Sequence, residues 1–273
     1  MEKRYENQIK MTRYYYGPLD DQFGDLRIPE SKGPHPVVVV IHGGYWQSDV
    51  GLDSIAALSE KLTKQGIATW SIEYRRIGQA GGGWPGTFTD ASQAIDYLLE
   101  LAKKNDLNLN RVVIVGHSAG GHLALWLAGR HRLPSSSEIK TDGTPLSVKG
   151  VISLAGVVDL SLMEEVLSIS EEVTREEFNP VRELIGGSSA ELPERYAQAS
   201  PIRLLPLDVP QVLIHGALDA TIPIGISQNY KKVADNINKN VEFIEIPSAE
   251  HFKLINPESE AWPIVIKEIL TLL

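Results

Sequence analysis

Apolar residues fall along this chain in two patterns that alternate. One is a short, largely unbroken run rich in β-branched residues: Val37-Val38-Val39-Val40-Ile41, residues 67–74, Val112-Val113-Ile114-Val115, residues 148–155, Val212-Leu213-Ile214 and residues 241–246. Such runs predict strands of a parallel sheet covered on both faces. The other pattern has helical spacing. Residues 52–65 carry Ile55, Leu58 and Leu62 on one face with Gly66 placed to end the helix. Residues 87–104 carry Ala91, Ala94, Ile95, Leu98, Leu99 and Ala102 in the same way. Further helices are expected over residues 122–128, 225–238 and 257–273. Residues 1–36 are polar, with turn signals at Gly17-Pro18 and Gly33-Pro34 and short alternating pieces such as Asp25-Leu26-Arg27-Ile28, which predict antiparallel edge strands.

Strands alternating with helices predict an α/β fold with a mostly parallel central sheet and helices on both faces. The alternation breaks once, over residues 159–206. Between Asp159 and Arg195 there are ten acids and three arginines, a net charge of −7. An insertion there is positioned to form a small helical cap over the strand ends, or a solvated acidic face. No internal repeat or linker divides the chain, so residues 1–273 are expected to form one domain.

Composition narrows the chemistry. With 273 residues and 42% hydrophobic content the chain can bury a sizeable core. It has no cysteine, which removes disulfides, thiol nucleophiles and thiolate metal sites. A net charge of −9 argues against a nucleic-acid partner. Met1 to Gln8 lack the apolar core of a signal peptide, and no run approaches the ~20 apolar residues that span a bilayer. A cytoplasmic protein without a membrane partner is the expectation. The oligomeric state is open.

Candidate chemistry sits where the strands stop. The run from Val112 ends at Gly116-His117-Ser118-Ala119-Gly120-Gly121 and turns helical. Gly-x-Ser-x-Gly between a strand and a helix lifts a serine hydroxyl clear of the sheet, because only glycines tolerate the crowding beside it. The run from Val37 ends at His42-Gly43-Gly44-Tyr45-Trp46, where two glycines either expose backbone N–H groups to a developing oxyanion or make a plain strand-end turn. Gln211 to Ile214 lead to His215-Gly216-Ala217-Leu218-Asp219, and residues 241–246 lead to the loop carrying His251. Gly81 to Gly86 match Gly-x-Gly-x-x-Gly, but Pro85 interrupts it and the downstream acids fall on a helix, so a dinucleotide site is not expected. No His-Glu-x-x-His or comparable spacing predicts a metal.

Ligands of a parallel sheet bind at the carboxyl ends of its strands, so Ser118, Asp219 and His251 can converge. A serine needs an imidazole to take its proton, and the imidazole needs a carboxylate to fix its tautomer. Ser118, Asp219, His251 is the chain order of an α/β-hydrolase triad. Among the seven histidines, His35 and His131 lie in or beside polar loops, His122 is on the serine's helix, and His117 projects elsewhere on the turn. His215 can order the Asp219 loop. Asp159 and then Glu250 are the alternative acids.

Taken together these motifs, with Glu250-His251-Phe252, resemble the α/β-hydrolase superfamily over roughly residues 25–270. The His-Gly-Gly-x-Trp form is similar to the kynurenine formamidase (arylformamidase) and related carboxylesterase branch. The acidic insertion is unmatched. The resemblance implies an oxyanion hole from the N–H of Ala119 and from N–H groups in Gly43, Gly44 and Tyr45. It also pairs Glu73-Tyr74-Arg75 with Asp90, the arginine bracing the oxyanion loop; an exposed ion pair worth under ~1 kcal/mol is the other reading. Tyr45, Trp46 and Trp84 are the expected pocket walls, although large aromatics near strand ends are as often core.

The expected activity is cleavage of carboxylic esters of small or aromatic substrates through an acyl-enzyme on Ser118, with no cofactor. An arylformamidase is the alternative, followed by a hydrolase-fold protein that only binds a small molecule. The acidic insertion argues against a long-chain lipase, and the chain is too short to hold a prolyl peptidase's propeller.

Overall fold

A computed structural model describes residues 9–237 and 241–273. The N-terminal residues 1–8 and the end of the helix expected to reach residue 238 lie outside them. Eight strands form one sheet: β1 (Lys10–Tyr15), β2 (Phe23–Ile28), β3 (His35–Ile41), β4 (Ala68–Ile72), β5 (Leu107–His117), β6 (Gly150–Leu154), β7 (Gln211–Gly216) and β8 (Val241–Ile246). Their spatial order is β1-β2-β4-β3-β5-β6-β7-β8. β1 and β2 pair antiparallel and β2 is antiparallel to β4, while β4 through β8 run parallel. The edge strands and the parallel runs are those expected from the sequence.

The helices are α1 (Ala56–Lys64), α2 (Gly86–Asp96), α3 (Leu98–Leu101), α4 (Ala119–Gly129), α5 (Leu160–Thr174), α6 (Pro180–Ile185), α7 (Pro193–Ala199), α8 (Gly225–Asn236) and α9 (Trp262–Leu272). Successive side chains of a strand point to opposite faces, and β3 shows why its run has no polar member. Val38 and Val40 pack with Leu58 and Leu62 of α1 and Val265 and Ile269 of α9. Val37, Val39 and Ile41 pack on the other side with α2, α4 and α8, through residues such as Ala91, Leu123 and Tyr230. Both faces are apolar because both are covered.

Three boundaries differ from expectation. The helix over residues 87–104 is interrupted at Tyr97, and β5 starts at Leu107, which pairs with His35. His35 is therefore a buried strand residue rather than a loop residue. The last helix begins at Trp262 because Asn256 and Ser259 side chains accept from Glu258 and Ala261 N–H and hold a turn there. Residues 159–206 do form helices: α5, α6, α7 and a short 3₁₀ turn, Pro201–Leu204. Among the described residues no helix is long and apolar enough to cross a membrane.

Candidate active site

The chain passes from β3 out to β4 and returns to the far side of β3 as β5, so strand order reverses between β3 and β5. The crevice beyond their carboxyl ends is where such sheets bind ligands. Ile41 is level with Gly116, which sets the loops after them side by side.

Ser118 joins β5 to α4 with φ 55° and ψ −119°, a left-handed conformation that a non-glycine residue adopts only under constraint. The constraint is close backbone packing on both sides. A Cβ on Gly116 would lie 2.0 Å from the Gly120 carbonyl oxygen, and one on Gly120 would lie 2.2 Å from that of Ile41. Any side chain there would push the helix off the sheet. The serine's own N–H donates to Leu154 O at 2.8 Å, anchoring the turn to β6. Ala119 follows as the first residue of α4, where N–H groups have no acceptor within the helix and the helix dipole favours negative charge.

Gly43 lies against this turn, since a Cβ on it would come 2.9 Å from Ser118 Cβ. His42 orients the Gly43 peptide: its Nδ1–H donates to Gly43 O at 2.8 Å, while Nε2 meets Glu73 Oε1 at 2.7 Å. In a trans peptide the N–H points opposite to the carbonyl, so the Gly44 N–H faces away from His42. Gly44, Tyr45 and Trp46 follow with φ of 100°, 50° and 57°, a left-handed turn closed by Gln47 N–H donating to Gly44 O at 2.9 Å. Among the described residues, none accepts from the N–H groups of Gly43, Gly44, Tyr45 or Ala119.

Asp219 and His251 are brought into contact. His251 Nδ1–H donates to Asp219 Oδ2 at 2.6 Å, which leaves Nε2 as the basic nitrogen. Asp219 Oδ1 accepts from the N–H groups of Thr221 and Ile222, each at 2.8 Å. His215 donates from Nε2 to Ile222 O at 3.0 Å with Asp219 Oδ2 3.3 Å away, so it orders this loop. Burial pushes the Asp219 carboxyl up, but the hydrogen bonds from His215, His251 and Ile222 and the charge on His251 outweigh it and hold the group well below the usual carboxylate range. The alternative acids are engaged elsewhere. Asp159 caps α5, accepting from Leu162 N–H at 3.2 Å, and Glu250 accepts from Phe252 N–H at 2.9 Å.

His117 does not project away. Its ring centroid is 4.4 Å from that of His251, and its Nε2–H donates to the His251 carbonyl at 3.0 Å. Burial, and then the neighbouring His251, push it down to about 3, so it is neutral. Nothing in the Gly-x-Ser-x-Gly pattern signals this contact, which joins residues 134 positions apart.

Two other expectations need correction. Trp46 is fully buried, its indole N–H donating to His122 Nδ1 at 3.2 Å, so it is core rather than pocket wall. The left-handed turn before it sends the ring inward. Arg75 pairs with Asp90 at 2.7 Å, but this is no surface pair, since the Asp90 side chain is wholly buried and also accepts from Gln22. The loop after β3 is braced instead by Glu73 and Arg76: Glu73 meets His42 and accepts from Leu52 N–H, and Arg76 donates to Val50 O. Trp84 lines a shallow groove with Leu192 and Gln198, under the Arg195 guanidinium. Tyr45 is half-buried, its ring perpendicular to that of Phe178 with centroids 5.5 Å apart and its O–H donating to Thr221 O at 2.9 Å. Among the described residues no three His, Asp or Glu side chains are gathered to hold a metal.

A mostly parallel sheet with its serine on a strained strand-to-helix turn, and with carboxylate and imidazole joined after the last two strands, defines an α/β-hydrolase. A solved structure described as a truncated carbohydrate esterase from gut microbiota shares this fold, with a TM-score of 0.80 at 23% identity, covering 98% of each chain. The chain belongs to the BD-FAE family of α/β-hydrolase esterases, whose model matches residues 25–233. It is similar to esterase LipC of Mycobacterium tuberculosis, 27% identical over 91% of this chain and 61% of that one. Esterase EstD of Thermotoga maritima is 26% identical over 88% and 60%. The chain thus spans about three fifths of the length of these relatives. Kynurenine formamidase of Danio rerio is 22% identical over 88% of this chain and 74% of that one.

Proposed function

We propose that this chain is a serine hydrolase that cleaves carboxylic esters of small or aromatic substrates through an acyl-enzyme on Ser118. The contact of Asp219 with His251 Nδ1 at 2.6 Å carries the reading, because it leaves Nε2 free to act as base. His251 takes the proton of Ser118 as Oγ attacks the ester carbonyl. The carbonyl oxygen becomes an oxyanion facing the N–H of Ala119 and N–H groups of the Gly43, Gly44 and Tyr45 segment. A donor of this kind is worth roughly 3 kcal/mol. His251 then protonates the leaving alcohol as its C–O bond breaks. In the second step His251 takes a proton from water, which attacks the acyl carbon, and returns it to Ser118 as the acid leaves. Neither step needs a cofactor.

We read residues 1–273 as one domain in which residues 159–206 cap the site, with Phe178 set against Tyr45 of the oxyanion loop. Exposed Phe178, Leu218 and Phe252 lie on the cap and beside the acid and the base. An apolar rim of this kind favours an ester with an apolar or aromatic part. A second reading, hydrolysis of an N-formyl aromatic amide, draws support from the likeness to kynurenine formamidase.

Turnover of p-nitrophenyl acetate by the wild type and by Ser118→Ala tests the assignment. We expect a loss of at least a thousandfold in the variant, and equal rates would overturn the role of Ser118. N-formylaniline assayed in parallel separates the two readings: brisk ester hydrolysis without formamide turnover removes the second.

A further inference from the structure

We infer that Tyr45 is a positioning residue whose side-chain hydroxyl locks the oxyanion loop to the acid loop, by holding the peptide plane that also orients Asp219. The inference rests on the serine-hydrolase reading and concerns how its two halves are kept in register.

Tyr45 lies in a run of three left-handed residues, two of them not glycine. Such a run is costly and persists only where its surroundings hold it. At one end Trp46 is held by its indole on His122 and by its carbonyl, which accepts from Ile77 N–H at 2.7 Å. At the other end the tie is the Tyr45 side chain, with its hydroxyl on Thr221 O and its ring perpendicular to that of Phe178.

Thr221 O and the Ile222 N–H belong to one trans peptide and point in opposite directions. The carbonyl takes the Tyr45 hydroxyl at 2.9 Å, and the N–H donates to Asp219 Oδ1 at 2.8 Å. The other Asp219 oxygen receives His251 Nδ1–H. A continuous series therefore runs from the phenol through one peptide and one carboxylate to the imidazole. At its near end, the backbone N–H of Tyr45 is among the candidate oxyanion donors. Burial, and then the charge of Asp219, push the phenol up to about 12, so it stays a donor throughout the working range. If the ring only filled space beneath the cap, its hydroxyl would be dispensable.

Tyr45→Phe keeps the ring and removes the hydroxyl. The test compares it with the wild type in steady-state hydrolysis of p-nitrophenyl acetate, in the rate of Ser118 phosphonylation by an aryl phosphonate followed by mass spectrometry, and in thermal unfolding. The expected result is a kcat about tenfold lower, the size of a lost hydrogen bond felt in the transition state, with KM changed less than about twofold. Phosphonylation slows in parallel and Tm moves by only a few degrees. Wild-type kcat and phosphonylation in the variant would overturn the lock and leave the serine-hydrolase reading standing. A raised KM or lowered Tm with kcat intact would do the same, reducing Tyr45 to packing. A wild type that neither hydrolyses the ester nor takes up phosphonate would overturn both.

Discussion

Replacing Asp219 by Asn changes one oxygen for an NH₂ group and so isolates what the carboxylate does. In the wild type Oδ1 accepts from Thr221 and Ile222 N–H, while Oδ2 faces His251 Nδ1 at 2.6 Å and His215 Nε2 at 3.3 Å. The asparagine oxygen keeps the two backbone bonds, which puts its NH₂ against both imidazoles. An NH₂ group only donates, so His251 has to turn a lone pair toward it and carry its proton on Nε2. In the proposed mechanism that is the nitrogen that accepts the Ser118 proton. The expected loss in kcat is about 10⁴-fold, or roughly 5 kcal/mol of transition-state stabilisation. His215 keeps Ile222 O as its acceptor, but its Nε2–H then faces an NH₂ group in place of a carboxylate oxygen, so a stability loss of about 1 kcal/mol accompanies it. The assay is p-nitrophenyl acetate turnover with Asp159→Asn as comparison. Asn caps a helix as well as Asp does, so the α5 cap survives and kcat stays within about twofold of wild type. An Asp219→Asn variant retaining a tenth of wild-type kcat, or a larger loss at Asp159, would refute the assignment of the acid.

Arg75→Ala leaves the buried Asp90 carboxylate without its charged partner, held only by Gln22 and the main-chain N–H of residue 75, and is expected to cost about 3 kcal/mol in urea unfolding; a cost below ~1 kcal/mol would return the pair to the surface reading. Stability is expected to fall as pH drops from about 7 to 5, because His117 and His122 are pushed by burial down to about 3 and about 4 while their unfolded counterparts take up protons below about 6.5. Each contributes about 2 kcal/mol of loss at pH 5, and an equal urea midpoint at the two pH values would contradict the burial of neutral rings. Asp219 and Glu73, both held low by their partners, extend the loss as pH falls below the unfolded carboxylate range near 4.

Much of the fold is legible because both faces of the parallel strands are buried. Val37 to Ile41 need no polar residue, and so short a β-branched run suits a strand covered on both sides far better than a helix or a half-exposed strand. The serine turn is legible for a similar reason: Gly116 and Gly120 stand where main chains meet at about 2 Å from any added Cβ, and that demand is written as glycine. Side-chain direction in irregular backbone is not written in this way. Trp46 looks like a pocket wall until the left-handed turn at Gly44 to Trp46 sends it onto His122. Arg75 and Arg76 are adjacent and alike, yet one reaches Asp90 and the other Glu73 and Asp21. No local pattern separates them, because the strand has ended and its alternation no longer tells which way each points.

The choice of acid shows what topology adds. Asp159 and Asp219 both follow strand ends, Asp159 five residues past the end of β6 and Asp219 three past that of β7. Sequence alone leaves either able to reach His251, which comes five residues after β8. β7 and β8 are neighbours, with Gly216 level with Ile246, so Asp219 and His251 leave the sheet side by side. Further hydrogen bonds stitch the two loops together, from Ala217 N–H to Ile246 O and from Leu218 N–H to Ala249 O, both 3.0 Å. Asp159 leaves from β6, one strand farther off, and its carboxylate is spent on the first turn of α5. In the proposed triad the acid is thus selected by strand adjacency rather than by its distance along the chain from the serine or the histidine. The same adjacency, at β3 and β5, sets the Gly43 peptide against Ser118. Two neighbouring strand pairs therefore carry the two halves of the proposed site, and β6, which lies between them, contributes the Leu154 carbonyl that fixes the serine turn.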